Sequence, residues 1–243
     1  MPSAQVKVGV VGAGGRMGQE IAEILSRHKK LQAYAGFDPK KAAGFICSIK
    51  DLKAKEALLV DVWIDFSTPS SFEDVMDFAV KNKKPLVSGT TGLTEKNKSA
   101  LKKASQQIPV LWASNMSLGI AVLNEALRHF AEISDFDFQV EEVHHKHKVD
   151  KPSGTALTLQ ENLEAAVGRK LPEPLAIRGG GVYGIHKIWA ISDEEQLVFE
   201  HQALNRAVFA RGAVRAAEWL ANKKPGLYTI RDVLLDSDKK RGK

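Results

Sequence analysis

The sequence holds a single cysteine, Cys47, in 243 residues. One thiol excludes an intrachain disulfide and any site built from several cysteine ligands. It suits a reducing compartment, so a cytoplasmic protein is expected. Long apolar runs are also missing: none approaches the roughly 18 residues a membrane-spanning helix requires, and no membrane partner is expected. Met1–Gln5 shows no basic region leading into an apolar stretch with a small-residue cleavage site, so a secretory signal is not expected. No internal repeat is visible.

What is present is the composition of an ordinary folded protein, 44% hydrophobic and 26% charged, which excludes disordered and fibrous classes. The length fits one large domain or two small ones at about 150 residues each. The formal net charge is +6, from 35 basic and 29 acidic residues. Asp236–Lys243 alone contributes +2, from four basic and two acidic side chains, and reads as a solvated tail. The remaining excess is dispersed except at His144–Lys151. No nucleic-acid-binding motif accompanies it, and a positive cleft serves an anionic small molecule equally well.

The first half alternates strand and helix. Val6–Val11, Gln32–Phe37, Val60–Phe66, Pro85–Ser88 and Val110–Ala113 read as strands. Met17–Leu25, a stretch ending near Val80, and a helix from an N-cap at Thr94 through Gln107 lie among them. Such alternation predicts a parallel sheet covered on both faces. The second half differs. Gly119–Ile133 reads as one amphipathic helix, followed by strands at Phe136–Val143, His186–Ser192 and Leu197–Gln202, one helix near Thr155–Val167, and a last helix at Ala207–Leu220. Successive strands without crossover helices predict an α+β unit with an antiparallel or mixed sheet.

Between the first strand and first helix stand Gly12, Ala13, Gly14, Gly15, Arg16, Met17 and Gly18, with glycines spaced G-x-x-G-x-x-G rather than G-x-G-x-x-G. Glycines in that position let the backbone approach a pyrophosphate at a helix N-terminus. Asp38 follows the second strand, where an acid accepts hydrogen bonds from a ribose, while Lys40, Lys41 and Arg16 would favour the extra phosphate of NADP. Together these point to a dinucleotide, NADH or NADPH. Gly89, Thr90, Thr91 and Gly92 follow the fourth strand, and Ala113, Ser114, Asn115 and Met116 the fifth. Both stretches read either as turn and cap residues or as room and hydrogen bonds for a nicotinamide.

Glu141–Ala156 crowds three histidines and three lysines at a strand end, before a helix start marked by Pro152 and Ser153. The N–H groups near Gly154 and Thr155 could hold a carboxylate, with Lys148 and a histidine completing the clamp and donating a proton. A metal site at His144, His145 and His147 is not expected, because strand neighbours face opposite ways and no further ligand pattern completes the set.

The stretch Glu142–Ala156 resembles the signature E-x-H-H-x-x-K-x-D-x-P-S-G-T-A of the 4-hydroxy-tetrahydrodipicolinate reductase family. Gly12–Gly18, Gly89–Gly92, Ala113–Gly119 and Arg206–Leu220 extend the resemblance over most of the chain. Lys151 stands where the family commonly has alanine, Met116 replaces an aromatic residue found in some members, and the likeness weakens after Arg178. The resemblance implies a Rossmann-like parallel-sheet domain, residues 1–115 and 206–243, with an inserted α+β substrate and oligomerisation domain, residues 116–205. It implies NADH or NADPH as cofactor, a cyclic dicarboxylate as substrate and a homotetramer. It also implies His144 as acid/base, Lys148 as proton donor, and His145, Gly154 and Thr155 as substrate contacts. Gly12–Met17, Asp38, Gly89–Thr91 and Ala113–Met116 would contact the cofactor. The rival readings are another two-domain nicotinamide-dependent oxidoreductase and a nucleotide-sensing protein without turnover.

Overall fold

The computed structural model describes residues 5–38 and 59–241, with side chains described as far as residue 236. Lys40, Lys41 and Cys47 lie outside the described residues. The chain divides into two compact units, Met1–Met116 with Phe209–Lys243, and Ser117–Val208.

In chain order the first unit opens with β1 (Val6–Val11), α1 (Arg16–Ser26), β2 (Leu31–Phe37), β3 (Val62–Asp65), α2 (Phe72–Lys81), β4 (Leu86–Ser88), α3 (Glu95–Ser105) and β5 (Pro109–Trp112). The second unit contains α4 (Leu118–Ala126), a 3-10 helix (Leu127–Ile133), β6 (Asp137–His144), α5 (Gly154–Val167), β7 (Leu175–Arg178), β8 (Ile185–Ile191) and β9 (Gln196–Gln202). The chain then returns to the first unit with α6 (Ala207–Leu220), β10 (Gly226–Tyr228) and α7 (Ile230–Arg241).

The first sheet has the order β10-β5-β4-β3-β1-β2, with every pairing parallel. Period-two alternation sends neighbouring side chains to opposite layers. Val62, Ile64, Val87 and Leu111 join one core with Ile21 and Leu25 of α1 and Ala213, Ala217 and Leu220 of α6. Trp63, Leu86 and Val110 join the other with Phe72 and Met76 of α2 and Leu101 of α3. Both faces are therefore buried, which is why these strands read as nearly unbroken apolar runs. Thr94 caps α3 as expected, accepting from Asn97 N–H while the Asn97 side chain bonds back.

The second sheet is mixed, β7-β6-β8-β9, parallel only between β6 and β7. Phe138, Val140, Ile188 and Ala190 face a core completed by Leu159 and Leu163 of α5 and by Leu127 and Phe130. The opposite face presents Leu175, Ile177, Ile191 and Val198, each 40–54% exposed.

Three features differ from the sequence reading. The expected single helix Gly119–Ile133 changes after Ala126 into a 3-10 helix. Leu127, Phe130 and Ile133 recur at intervals of three, the period at which a 3-10 helix turns one face to the core. Strands β7 and β10 were absent from that reading; they have four and three residues, too short for a period-two pattern to register. The expected solvated tail from Asp236 begins inside α7, which runs to Arg241. Asp236 accepts from Trp219 Nε1 at 2.6 Å and pairs with Lys223 at 3.0 Å. The charged composition hid this helix, whose one fully buried apolar side chain in the described part is Val233.

Helix α6 approaches the segment after β5 closely at Gly212, where a Cβ would lie 1.7 Å from the Met116 carbonyl oxygen. Because that atom is backbone, no side-chain rotation relieves the clash. Gly212→Ala is expected to lower the unfolding free energy by about 1–3 kcal/mol, the usual cost of overpacking. Urea denaturation showing an unchanged midpoint would contradict this packing.

Candidate functional site

In the first unit the glycine turn is shaped by contacts only small residues permit. Gly12 has φ +78°, and its N–H and that of Ala13 both donate to the Phe37 carbonyl, at 2.8 and 2.9 Å. A Cβ on Gly18 would lie 2.3 Å from the Gly12 oxygen. No side chain caps α1 at Gly15. Asp38 sits beside this turn, its Oδ2 accepting from Gly14 N–H at 2.9 Å. The acid expected to meet a ribose here bonds to the glycine loop.

The other two expected loops lie at the carboxyl ends of β4 and β5. Their residues differ in access. Ala13, Thr90 and Met116 are 1–2% exposed. The Thr90 hydroxyl donates to buried Asp65 at 2.8 Å, and its carbonyl accepts from Trp112 Nε1 at 3.0 Å. The Met116 side chain belongs to the core shared with α1 and α6. These three residues can offer a ligand their main chain but little side-chain surface. Gly15, Arg16 and Thr91 are exposed, while Gly12, Gly14, Met17, Gly89, Ala113, Ser114 and Asn115 are half-buried.

In the second unit β6 delivers Glu142 and His144 to the same face, two residues apart. Glu142 is fully buried. Its Oε2 takes a very short hydrogen bond from His144 Nδ1, and its Oε1 accepts from Arg178 at 2.7 Å and from Ser153 N–H at 3.1 Å. Arg178 also donates to the Asp150 carbonyl at 2.5 Å. Burial alone would raise the Glu142 carboxyl, but the bonds from Arg178 and His144 outweigh it and hold it below its ordinary value.

Burial pushes His144 below the ordinary imidazole value; Glu142 pulls it up, while Lys148 and Arg178 add to the lowering. His186 on β8 stands beside it, ring centroids 5.1 Å apart, and is pushed down to about 3, mainly by burial. His201 on β9 lies behind His186 at 6.5 Å and meets the Ser117 hydroxyl at 3.0 Å. Gly184 has φ +151°, and a Cβ there would lie 3.0 Å from His144 Nε2.

Ser153 caps α5, its hydroxyl accepting from Ala156 N–H at 3.2 Å. The Asp150 carboxylate joins Lys148 Nζ at 2.8 Å to Gly154 N–H at 3.4 Å. The two groups expected to clamp a substrate carboxylate therefore hold a carboxylate of the chain itself. Thr155 and His145 are half-buried beside them, and His147 is exposed. No group of three or more His, Cys, Asp or Glu side chains suited to a metal occurs among the described residues.

Arg178, Gly184, His186 and His201 were not singled out from sequence, and Glu142 was noted only within the signature. The signal for Glu142 was its two-residue spacing from His144. Arg178 and His186 come from other strands, and only the sheet register pairs them with His144 and Glu142, respectively.

A parallel α/β unit with a glycine turn into its first helix, and a second unit in which a buried Glu142–His144 pair lies near Lys148 and the start of α5, are the parts expected of a two-domain nicotinamide-dependent oxidoreductase. The particular family follows from comparison. The N-terminal family model of dihydrodipicolinate reductase matches residues 6–116, and the C-terminal one residues 119–234. A 4-hydroxy-tetrahydrodipicolinate reductase of Bdellovibrio bacteriovorus is 56% identical over 97% of this chain and 99% of its own. One from Xanthomonas euvesicatoria is 40% identical over 97% and 100%. The dipicolinate-bound dihydrodipicolinate reductase from Paenisporosarcina sp. TG-14 shares the fold, with TM-score 0.74 and 20% identity over 94% of this chain and 99% of that one. The chain belongs to the dihydrodipicolinate reductase family.

The depressed histidines set a pH dependence. His186 titrates near 3 when folded and near 6.5 when unfolded. Between those values the unfolded chain binds more protons, so stability falls as pH drops from about 6.5. His186→Gln should flatten the slope of unfolding free energy between pH 6.5 and 4.5 by up to about 1.4 kcal/mol per pH unit. Chemical denaturation across that range giving parallel slopes would remove His186 from the effect.

Proposed function

We propose that the chain reduces 4-hydroxy-tetrahydrodipicolinate to tetrahydrodipicolinate with NADH or NADPH, in lysine and diaminopimelate biosynthesis, as a cytoplasmic homotetramer. The observation that carries the substrate assignment is the clamp of Lys148 and the α5 N-terminus, which holds the Asp150 carboxylate beside the buried Glu142–His144 pair.

The residues of the first unit fit a dinucleotide. The close glycine packing and the absence of a side-chain cap on α1 leave a helix N-terminus for a pyrophosphate. Gly12–Met17 and Asp38 would hold the adenosine half and its phosphates. Gly89–Thr91 and Ala113–Met116 would meet the nicotinamide, with Thr90 and Met116 acting through main-chain atoms. When bound, the reduced nicotinamide supplies hydride.

The second unit supplies charge and protons. Loss of water leaves a conjugated imine in the substrate ring, and its reduction builds negative charge toward the ring nitrogen. The Lys148 ammonium stabilises that charge and donates the proton, while His144 exchanges protons as acid/base. Gly154 and Thr155 bind one substrate carboxylate at the start of α5, and His145 adds a further contact. The carboxylate displaces Asp150 from the clamp, so its binding exchanges one ion pair for another.

Steady-state kinetics test this reading. Lys148→Ala and His144→Ala should each lower kcat by roughly 10²–10⁴ while leaving the Kd for NADPH nearly unchanged. Thr155→Ala should mainly raise KM, because a carboxylate contact is present in ground and transition states alike. Pyridine-2,6-dicarboxylate should compete with substrate, since it offers both carboxylates and cannot accept hydride. Near-normal turnover in both Lys148→Ala and His144→Ala would sink the catalytic assignment.

The tetramer is supported by the apolar face of the second sheet. Leu175, Ile177, Ile191 and Val198 occupy it with Trp189, whose indole bonds Glu141. A second copy of the same sheet is the occupant we assign. Ile177→Glu with Val198→Glu should convert the tetramer to smaller species in analytical ultracentrifugation. A tetramer of unchanged stability would place the interface elsewhere.

A further inference from the structure

His144 carries two ring nitrogens, and its chemistry depends on which one bears the proton. Three donors from three places converge on the carboxylate next to it: His144 itself on β6, Arg178 on β7 and the Ser153 N–H at the start of α5. A carboxylate so placed, fully buried and ionised, can only accept. The hydrogen in the His144–Glu142 bond therefore belongs to Nδ1. The other nitrogen, Nε2, lies toward Gly184, where an added Cβ would stand 3.0 Å away.

We propose that Glu142, anchored by Arg178, is a positioning residue that fixes His144 as the Nδ1–H tautomer, so that Nε2 stands as the proton acceptor. This rests on the reading of His144 as the acid/base residue. It also divides labour in the resting enzyme: neutral His144 has no proton to give at Nε2, and the Lys148 ammonium is the donor. Once Nε2 accepts a proton, the Glu142 carboxylate stabilises the imidazolium through the same bond.

The groups facing His144 are few. Glu142 raises its affinity for protons, whereas Lys148 on the following loop and Arg178 on β7 lower it. His186 on β8 is packed against the ring and is neutral near pH 7. Asp150 is taken up by Lys148, so removing the Glu142 charge removes the one group that raises the His144 affinity for protons, and its titration moves to lower pH.

Two measurements test the proposal. In the unmodified, ¹⁵N-labelled protein, long-range ¹H–¹⁵N spectra at pH 7–8 should show a pyrrole-type Nδ1 and a pyridine-type Nε2 for His144, assigned by their loss in His144→Gln. The reverse pattern, or two protonated nitrogens, overturns the proposal. In kinetics, Glu142→Gln should lower kcat at least about tenfold, with a much smaller change in KM, and move the acid limb of the kcat profile to lower pH. Glu142→Asp should recover part of kcat and return the limb toward its original position. A loss of kcat with an unmoved limb assigns Glu142 a merely structural role and overturns the proposal. If Glu142→Gln does not fold because Arg178 is left unpaired, the double variant Glu142→Gln/Arg178→Met takes its place, with the same limb as readout. Absence of reductase activity in the unmodified protein would refute the assigned function while leaving the tautomer measurement to decide the present proposal.

Discussion

A carboxylate with no solvent contact sits at Glu142, and the second unit is organised around keeping it partnered. An isolated buried charge is prohibitively costly, so its oxygens must be filled from whatever elements can reach them. Here the fillers are a histidine on the same strand, an arginine on the neighbouring strand and a backbone N–H at a helix start. Removing one partner of such a buried pair typically costs about 3–5 kcal/mol. The same bonds therefore fix the parallel register of β6 with β7, the entry of α5 and the orientation of the His144 ring. Stability and the orientation of His144 are one arrangement, not two.

That arrangement sets the polar end of the second sheet, where the proposed chemistry is placed. The inward side of β6 begins apolar with Phe138 and Val140 and ends polar with Glu142 and His144. Opposite it, β8 runs from His186 at the polar end to Ile188 and Ala190 at the apolar one. The apolar half packs against α5 and supplies the hydrophobic stabilisation. The polar half borrows its rigidity and can hold three imidazoles, two of them deeply buried, where they stay neutral.

The first unit and the motif on β6 were readable because their signals are local. Val6–Val11, the glycine turn and the Thr94 cap each follow from residues within one element. The Glu142–Ala156 stretch is contiguous, so it carried the family in the sequence itself. What escaped reading was either short or assembled across the sheet. Strand β7 has four residues with alternating half-exposure, and nothing around Arg178 states that it will reach Glu142, 36 positions earlier in the chain. His186 looks like any strand histidine until the antiparallel register sets it opposite Glu142. Helix α7 was hidden by charge, since its hold on the first unit comes from Ile230 and Val233 at its start and from Asp236 on Trp219 and Lys223.

The two helix starts that face ligands in the proposed reaction are built differently, and the difference matches the two anions. At α1 no side chain caps Gly15, and the glycines before it admit close backbone approach, as a pyrophosphate with no preferred side-chain partner requires. At α5 the Ser153 hydroxyl takes the Ala156 N–H, and Asp150 bridges Gly154 and Lys148. A ligand carboxylate entering there meets groups already tuned to a carboxylate, so little reorganisation is needed beyond the swing of one exposed side chain. The loss is the Lys148–Asp150 pair, which is partly solvated and hence worth little. In the proposed reaction, affinity at this end would depend on the second substrate carboxylate and the ring as much as on the clamp, which would suit release of a product bearing the same two carboxylates.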